Sequence, residues 1–115
     1  MKDIDIVKTA FAALDSKKAK DIKILRVKEV TSIANYFVLA AGTSSTQVKA
    51  LADEVELKLE EQSEKPQRTE GYSGANWIVL DYADVIIHIF HEETRTFYEL
   101  EKLWKDGQEI AIDTL

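Results

Sequence analysis

The sequence predicts a single α+β domain built on a mixed β-sheet, with helices covering at least one face of the sheet. Helical and strand-like apolar patterns alternate along the 115 residues. The stretch 36–41 is apolar at every position, which is typical of a central strand that is covered on both faces. The stretch 77–90 contains two apolar runs around a short polar break, which indicates a β-hairpin.

The first part of the chain predicts a helix and two strands. Apolar residues recur at helical spacing over residues 3–15, so the domain begins with an amphipathic helix. Residues 21–28 alternate like a half-buried strand, but their apolar phase changes between Ile24 and Leu25. We expect a β-bulge at that point, because one extra residue would restore a single buried face. The central strand at 36–41 follows.

A second helix follows the central strand. Its apolar stripe runs to about residue 62. Ser44 and Gln47 have the spacing of a capping box, in which side chains satisfy the free amides of a helix start. Gly71 and Gly74 then predict a loop before the hairpin.

The hairpin and the segment after it complete the predicted fold. The turn is expected at residues 81–84. Glu92 and Glu93 open a last helix, because negative charge suits the free amides of a helix start. Gly107 ends that helix. We therefore predict a domain at residues 1–107 and a tail at residues 108–115, which either adds a short strand or frays.

Composition limits the possible functions. The absence of cysteine excludes disulfides and thiolate metal sites. The sequence has no apolar run of about 18 residues and no signal-peptide pattern, so we expect a cytoplasmic protein.

The charge is unevenly distributed. Residues 1–50 carry nine Lys/Arg and five Asp/Glu, a balance of +4, whereas residues 51–115 carry six and sixteen, a balance of −10, which gives the net charge of −6. The acidic half would attract a basic partner and repel bare nucleic-acid phosphate. Alternatively, these acids simply solvate helix faces.

Two candidate ligand sites have simpler structural explanations. Residues 42–45, Gly-Thr-Ser-Ser, lie where many α/β proteins hold a phosphate, but the glycine patterns of nucleotide-binding loops are absent. Ser44 is already explained as a helix cap. His88 and His91 are three residues apart, so on one strand they point to opposite faces and cannot share a metal ion.

Asp81 and Asp84 form a third candidate, a carboxylate pair for acid–base or metal chemistry. Both lie at the ends of the predicted turn, where aspartate is favoured because its carboxylate bonds nearby amides. No nucleophile with a matching base accompanies them. We therefore expect no catalytic, cofactor-binding or metal-binding residues.

The strand at 77–82 indicates an interaction surface. One of its faces carries Trp77, Val79 and Asp81, and the other carries Ile78, Leu80 and Tyr82. A small domain builds its core on one face, so a second apolar face is covered by a helix or binds a partner. Aromatic residues beside acids favour a binding site, although Trp77 could equally belong to the core.

A set of motifs extends over most of the chain, from about Ala10 to Trp104. It comprises Gly42-Thr43-Ser44-Ser45, Val48, Ala52-Asp53, Glu70-Gly71, the whole stretch from Trp77 to Phe90, Glu92-Glu93-Thr94-Arg95, and the stretch from Tyr98 to Trp104. In order and spacing these motifs resemble the ribosomal silencing factor family, also called the Iojap-like family.

The resemblance implies a non-enzymatic protein with a nucleotidyltransferase-like topology and no cofactor. Such a protein binds the large ribosomal subunit through its fourteenth ribosomal protein, with little nucleic-acid contact and no membrane. It thereby prevents the small subunit from joining and represses translation when nutrients fall. It also forms homodimers when free. We expect the ribosomal contact to be formed or supported by Trp77, Leu80, Asp81, Tyr82, Asp84, His88 and Arg95.

Two other functions stay open at this point. The chain could assist large-subunit assembly without silencing, or it could be a nucleotide-binding enzyme that uses residues 42–45. One departure from the family also leaves a structural question open. Ala83 stands where relatives often have glycine, so the turn either avoids a positive φ or carries a small strain.

Overall fold

A six-stranded mixed β-sheet forms the centre of the computed structural model, which describes residues 2–94 and 107–115. In chain order the elements are α1 (Asp3–Ser16), β1 (Lys20–Arg26), β2 (Tyr36–Gly42), α2 (Ser45–Glu60), β3 (Arg68–Glu70), β4 (Trp77–Asp81), β5 (Val85–His91), β6 (Gln108–Ile110) and a 3₁₀ turn (Ile112–Thr114). The strand order is β3-β4-β5-β2-β1-β6. β2 and β5 are parallel, and the other neighbouring pairs are antiparallel. The predicted fold class is confirmed.

The main core lies between the sheet and the two helices, which both contact β2 and β5. Its largest fully buried side chains are Leu14, Ile24, Leu51, Leu59, Ile78, Leu80, Ile87 and Ile89. A second cluster lies on the opposite face of the sheet and comprises Leu25, Val27, Ala34, Phe37, Leu39 and Phe90. All seven residues of β2 are buried, which confirms the prediction of a central strand.

The predicted bulge between Ile24 and Leu25 is wrong. Both residues pair in regular register with β2, and the register shift falls nearer the start of β1, between Lys20 and Lys23. Ile24 belongs to the main core and Leu25 to the second cluster, so the two side chains are buried on opposite faces. The change of apolar phase therefore marks a strand with two covered faces rather than an extra residue.

The start of α2 is capped largely as predicted. The Ser44 side chain accepts a hydrogen bond from the Gln47 backbone N–H at 3.1 Å. The Gln47 side chain accepts a hydrogen bond from the Thr43 N–H at 2.7 Å, one residue before the position expected of a capping box. The two side chains thus satisfy backbone amides at the turn between β2 and α2.

The two edge strands of the sheet are β3 and β6, and one of them was not predicted. β3 was not predicted, because its three residues are all exposed and show no apolar alternation. β6 pairs with β1, which confirms the short-strand alternative for the tail.

Residues 92–94 are helical, and the remainder of the predicted last helix lies outside the described residues. Within the described part of the chain, no helix is long and apolar enough to cross a membrane.

The Ser44 cap predicts a specific loss of stability. Ser44→Ala should lower the free energy of unfolding by about 1 kcal/mol, because the amide at Gln47 loses its acceptor. Ser45→Ala, one residue further on, is the matched control and should change stability by no more than about 0.5 kcal/mol. Urea denaturation of both variants measures the difference. Equal losses would contradict the capping role.

Candidate partner-binding surface

The candidate site is a groove on the face of the sheet opposite α1 and α2. It has a volume of about 220 Å³ and is lined by Ile33, Phe37, Arg68, Glu70, Val79, Asp81, Ile86 and His88. Strand alternation places these side chains together, because every second residue of β4 and β5 faces the main core and the residues between them face the groove. The central strands supply apolar surface, and the edge strand β3 together with Asp81 at the end of β4 supplies charge.

Trp77 lies beside the groove at the start of β4, with 37% of its surface exposed. Its ring packs against Phe90, with 5.3 Å between the ring centroids. Its indole N–H donates a hydrogen bond to Nδ1 of His88 at 3.1 Å. The polar group of the indole is therefore satisfied within the protein, and what remains exposed is apolar ring surface.

His88 lies beneath Trp77 and is only 6% exposed. Its ring stands edge-on to Phe37, with 5.0 Å between centroids, and stacks with Phe90 at 6.1 Å. Burial lowers the pKa of His88 to about 4, so the imidazole is neutral near pH 7. Because Nδ1 accepts the indole hydrogen bond, the proton of the neutral ring is on Nε2.

The rim of the groove carries loosely paired charges. The guanidinium of Arg68 lies 3.7 Å from the Asp81 carboxylate and 3.8 Å from that of Glu70. The Arg68 side chain is 71% exposed, so water screens both pairs and each contributes little to stability. Breaking either pair would therefore cost little.

The β4–β5 turn is held by Asp81. Its side chain accepts a hydrogen bond from the Ala83 N–H at 2.8 Å, as predicted for an aspartate in a turn. Ala83 has a φ of +69°, so this turn keeps the left-handed conformation and carries the small strain of a residue with a Cβ. The carbonyl of Asp84 accepts hydrogen bonds from the N–H groups of Asn35 and Tyr36.

The loop at 71–76 sets the position of Trp77. Gly71 has a φ of +79°, and a Cβ at this residue would lie 2.1 Å from the Trp77 carbonyl oxygen. The Ala75 N–H donates to the Gly71 carbonyl at 3.0 Å, and the His91 N–H donates to the Asn76 carbonyl at 2.9 Å. The loop is thereby closed on itself and fixed to β5 immediately before Trp77.

The structure divides the residues that the sequence assigned to the partner contact. It brings Trp77, Asp81 and His88 together on the groove face. Leu80 and Tyr82 lie on the other face of the sheet, buried in the main core, so a supporting role is left to them.

Burial raises the pKa of Tyr82 above its ordinary value, and the negative charge of Glu56 on α2 adds to the effect.

The two remaining residues that the sequence assigned to the partner contact are Asp84 and Arg95. Asp84 is exposed in the turn, and Arg95 lies outside the described residues.

Several groove residues escaped sequence analysis. Arg68 and Glu70 belong to the strand that was not predicted. Ile33 lies in the loop before β2 and is 65% exposed. Val79 was placed on the correct strand face but was not named as a contact residue. The available signal for Ile33 was a large apolar side chain in the loop before β2, a signal that Val30 of the same loop shares.

The phosphate site and the metal site considered from the sequence are less favourable in the structure. At residues 42–45 the amides of Thr43 and Gln47 are already bonded by side chains, so a phosphate would have to displace them. His91 accepts a hydrogen bond from the Glu93 N–H at 3.2 Å and so caps the start of the next helix. Among the described residues, no group of three or more His, Cys, Asp or Glu side chains is arranged to hold a metal ion.

Comparison with known proteins gives a consistent result. The family model described as "Ribosomal silencing factor during starvation" matches residues 1–115. A ribosomal silencing factor from Halalkalibacterium halodurans is 36% identical over 113 residues, which cover 98% of this chain and 97% of the relative. A mouse protein named for mitochondrial assembly of the large ribosomal subunit is 32% identical over 98% of this chain and 52% of its own length.

A solved structure shows the same fold. The crystal structure of a Chromobacterium violaceum protein superposes with a TM-score of 0.88 at 36% identity, covering 96% of this chain and 92% of the other.

The Gly71 geometry generates a prediction with a built-in control. Gly71→Ala should lower the free energy of unfolding by at least about 2 kcal/mol, because the new Cβ meets the Trp77 carbonyl in an unfavourable backbone conformation. Gly74→Ala, in the same loop, meets no atom within 4 Å and should be nearly neutral. Urea unfolding followed by tryptophan fluorescence measures both variants. A neutral Gly71→Ala would show that the loop does not fix Trp77.

The buried His88 predicts a pH dependence of stability. Between about pH 6.5 and pH 4 the unfolded chain binds a proton at His88 that the folded chain does not, so the free energy of unfolding falls as the pH falls through this window. His88→Asn should remove roughly 2–3 kcal/mol of that decline. His91→Asn, which changes the other histidine of the chain, should leave the decline intact. Identical pH profiles for the two variants would contradict the assignment.

Proposed function

The chain belongs to the ribosomal silencing factor family, and from this membership we propose that it binds the large ribosomal subunit and blocks its association with the small subunit. The proposed contact is the fourteenth large-subunit ribosomal protein, and the proposed outcome is repression of translation when nutrients are limiting. The protein acts in the cytoplasm by occupying a surface, without catalysis and without a cofactor.

The observation that best supports this proposal is the exposed Trp77 beside the groove. Aromatic side chains that bury their rings on binding supply most of the energy of protein interfaces. Val79 and Ile86 extend the apolar surface into the groove next to Trp77. A protein partner is favoured over a small metabolite, because Trp77 lies on open surface beside the groove rather than inside an enclosed cavity.

Charge favours a basic partner. The chain has a net charge of −6, and the two acids that line the groove, Glu70 and Asp81, outnumber its one cation, Arg68. Ribosomal proteins that bind RNA neutralise phosphates with lysine and arginine, so they attract an acidic domain. Rim charges of this kind accelerate docking more than they tighten the complex. The same acids disfavour direct contact with RNA.

The size of the domain is sufficient for steric blocking. Its dimensions are 33 × 31 × 26 Å. Side chains of two subunits must approach to about 4 Å to make contact. A bound body more than 20 Å thick on an intersubunit surface therefore prevents contact there without any chemical step.

A role in large-subunit assembly is the second candidate function. It is favoured by the similarity to the mouse protein whose name refers to assembly of the mitochondrial large subunit. Both functions would use the same binding surface, and they differ in which subunits carry the protein. Sucrose gradients of starved and growing cells distinguish them: a silencing factor sediments with mature large subunits during starvation, and an assembly factor with immature ones during growth.

We also propose that the free protein is a homodimer. An exposed tryptophan beside an apolar groove is unfavourable in water, and a second copy would cover it until the ribosomal partner is met. The dimer surface and the partner surface then overlap.

The proposed contact predicts which substitutions weaken binding. Trp77→Glu should weaken binding to purified large subunits at least about tenfold through loss of an aromatic anchor. Asp81→Lys should weaken it mainly by slowing association. Both variants should also lose the ability to prevent subunit joining, measured by adding small subunits and separating the products on sucrose gradients.

The matched controls lie on α2, which packs on the other face of the sheet. Leu57→Glu introduces the same charge at an exposed apolar residue, and Glu60→Lys reverses the charge of an exposed acid. Both should bind and block like the wild type. If the folded groove variants bound normally while the α2 variants did not, the contact would be on the helical face and the assigned site would be wrong.

A further inference from the structure

The Trp77 ring is held by packing on Phe90 and by a hydrogen bond from its indole N–H to His88. A tryptophan at the start of a strand can adopt several rotamers, and each places its N–H in a different direction. In this structure the N–H points inward and donates to Nδ1 of His88 at 3.1 Å. The ring is tilted by 41° relative to both His88 and Phe90.

His88 is well suited to hold this orientation. The strands β2 and β5 carry Phe37 and Phe90, which contact two sides of the imidazole. The imidazole is therefore a fixed acceptor, built on the central part of the sheet rather than on a loop. With 6% of its surface exposed, His88 has almost no area of its own to offer a partner.

We propose that His88 is a positioning residue that acts on the partner through Trp77, a proposal that rests on the function proposed above. Because His88 satisfies the indole N–H, the partner receives Trp77 in a pocket with apolar or cationic walls and supplies no hydrogen-bond acceptor to the indole nitrogen. A pocket of that kind suits an aromatic ring beside a lysine or arginine, which is also attracted by the acidic rim.

Without the hydrogen bond to His88, burial of Trp77 by a partner would cost free energy. If the indole N–H were free in the unbound protein, burying it in an apolar pocket would leave a donor without an acceptor, which is unfavourable. The hydrogen bond to His88 removes that cost before binding. His88 therefore increases affinity without touching the partner.

A double-mutant cycle tests this role. His88→Leu removes the acceptor and should weaken binding to purified large subunits about tenfold. Trp77→Phe keeps an aromatic ring but has no N–H, so adding His88→Leu to Trp77→Phe should cause less than about a twofold further loss. His88→Asn places an amide oxygen near the position of Nδ1 and should recover most of the wild-type affinity. Equal losses from His88→Leu in both backgrounds would overturn the proposal.

A second measurement needs no ribosome. The chain has two tryptophans, so the indole N–H signal that disappears in Trp77→Phe identifies Trp77 in an NMR spectrum of the free protein. Its exchange with solvent should be at least about tenfold faster in His88→Leu than in the wild type. An unchanged exchange rate would show that His88 does not hold the indole.

The two measurements distinguish failure of the proposed function from failure of the positioning role of His88. If wild-type protein does not bind large subunits, the proposed function is wrong, and the exchange rate still decides whether His88 positions Trp77. If binding occurs and the cycle shows no coupling, the proposed function stands and the positioning role is wrong.

Discussion

The structure depends on a sheet whose two faces are both apolar, of which α1 and α2 cover one. β5 shows this most clearly. Its residues Val85, Ile87 and Ile89 pack in the main core, and the intervening residues Ile86, His88 and Phe90 face the other way. Burial of apolar surface stabilises the domain on both faces, at roughly 25 cal/mol for each Å². The second face combines a buried cluster around Phe37 and Phe90 with the groove beside Trp77, so one face contributes to the core and also offers a surface.

That surface combines a rigid anchor with adaptable charges. Trp77 is fixed by its packing on Phe90 and its hydrogen bond to His88, so little side-chain entropy is lost when it is buried by a partner. The ion pairs of Arg68 are long and exposed, and each is worth less than about 1 kcal/mol. An anchor of this type contributes about 2 kcal/mol or more. Under the proposed function we therefore expect affinity to come from the aromatic contact and the acids to set the rate of encounter.

Periodicity was enough to predict α1, α2, the central strand and the hairpin, because each has a long apolar repeat. It failed where the signal was short or ambiguous. β3 has three exposed residues and therefore no apolar alternation to detect. The phase change at Ile24 looks the same in the sequence whether it comes from a bulge or from a strand buried on both faces. The same limit applied to the site. Alternation separated Trp77 and Asp81 from Leu80 and Tyr82, but the sequence contains nothing to say which of the two faces the helices cover.

The central claim is that the face of the sheet carrying Trp77, and not the helical face, meets the large ribosomal subunit. A cryo-electron microscopy reconstruction of the protein bound to purified large subunits tests it most directly. The account predicts the Trp77 ring within about 4 Å of a basic ribosomal protein, with α1 and α2 directed away from the ribosome and the surface for the small subunit obstructed. Density that placed α1 and α2 against the ribosome, with Trp77 facing solvent, would contradict it.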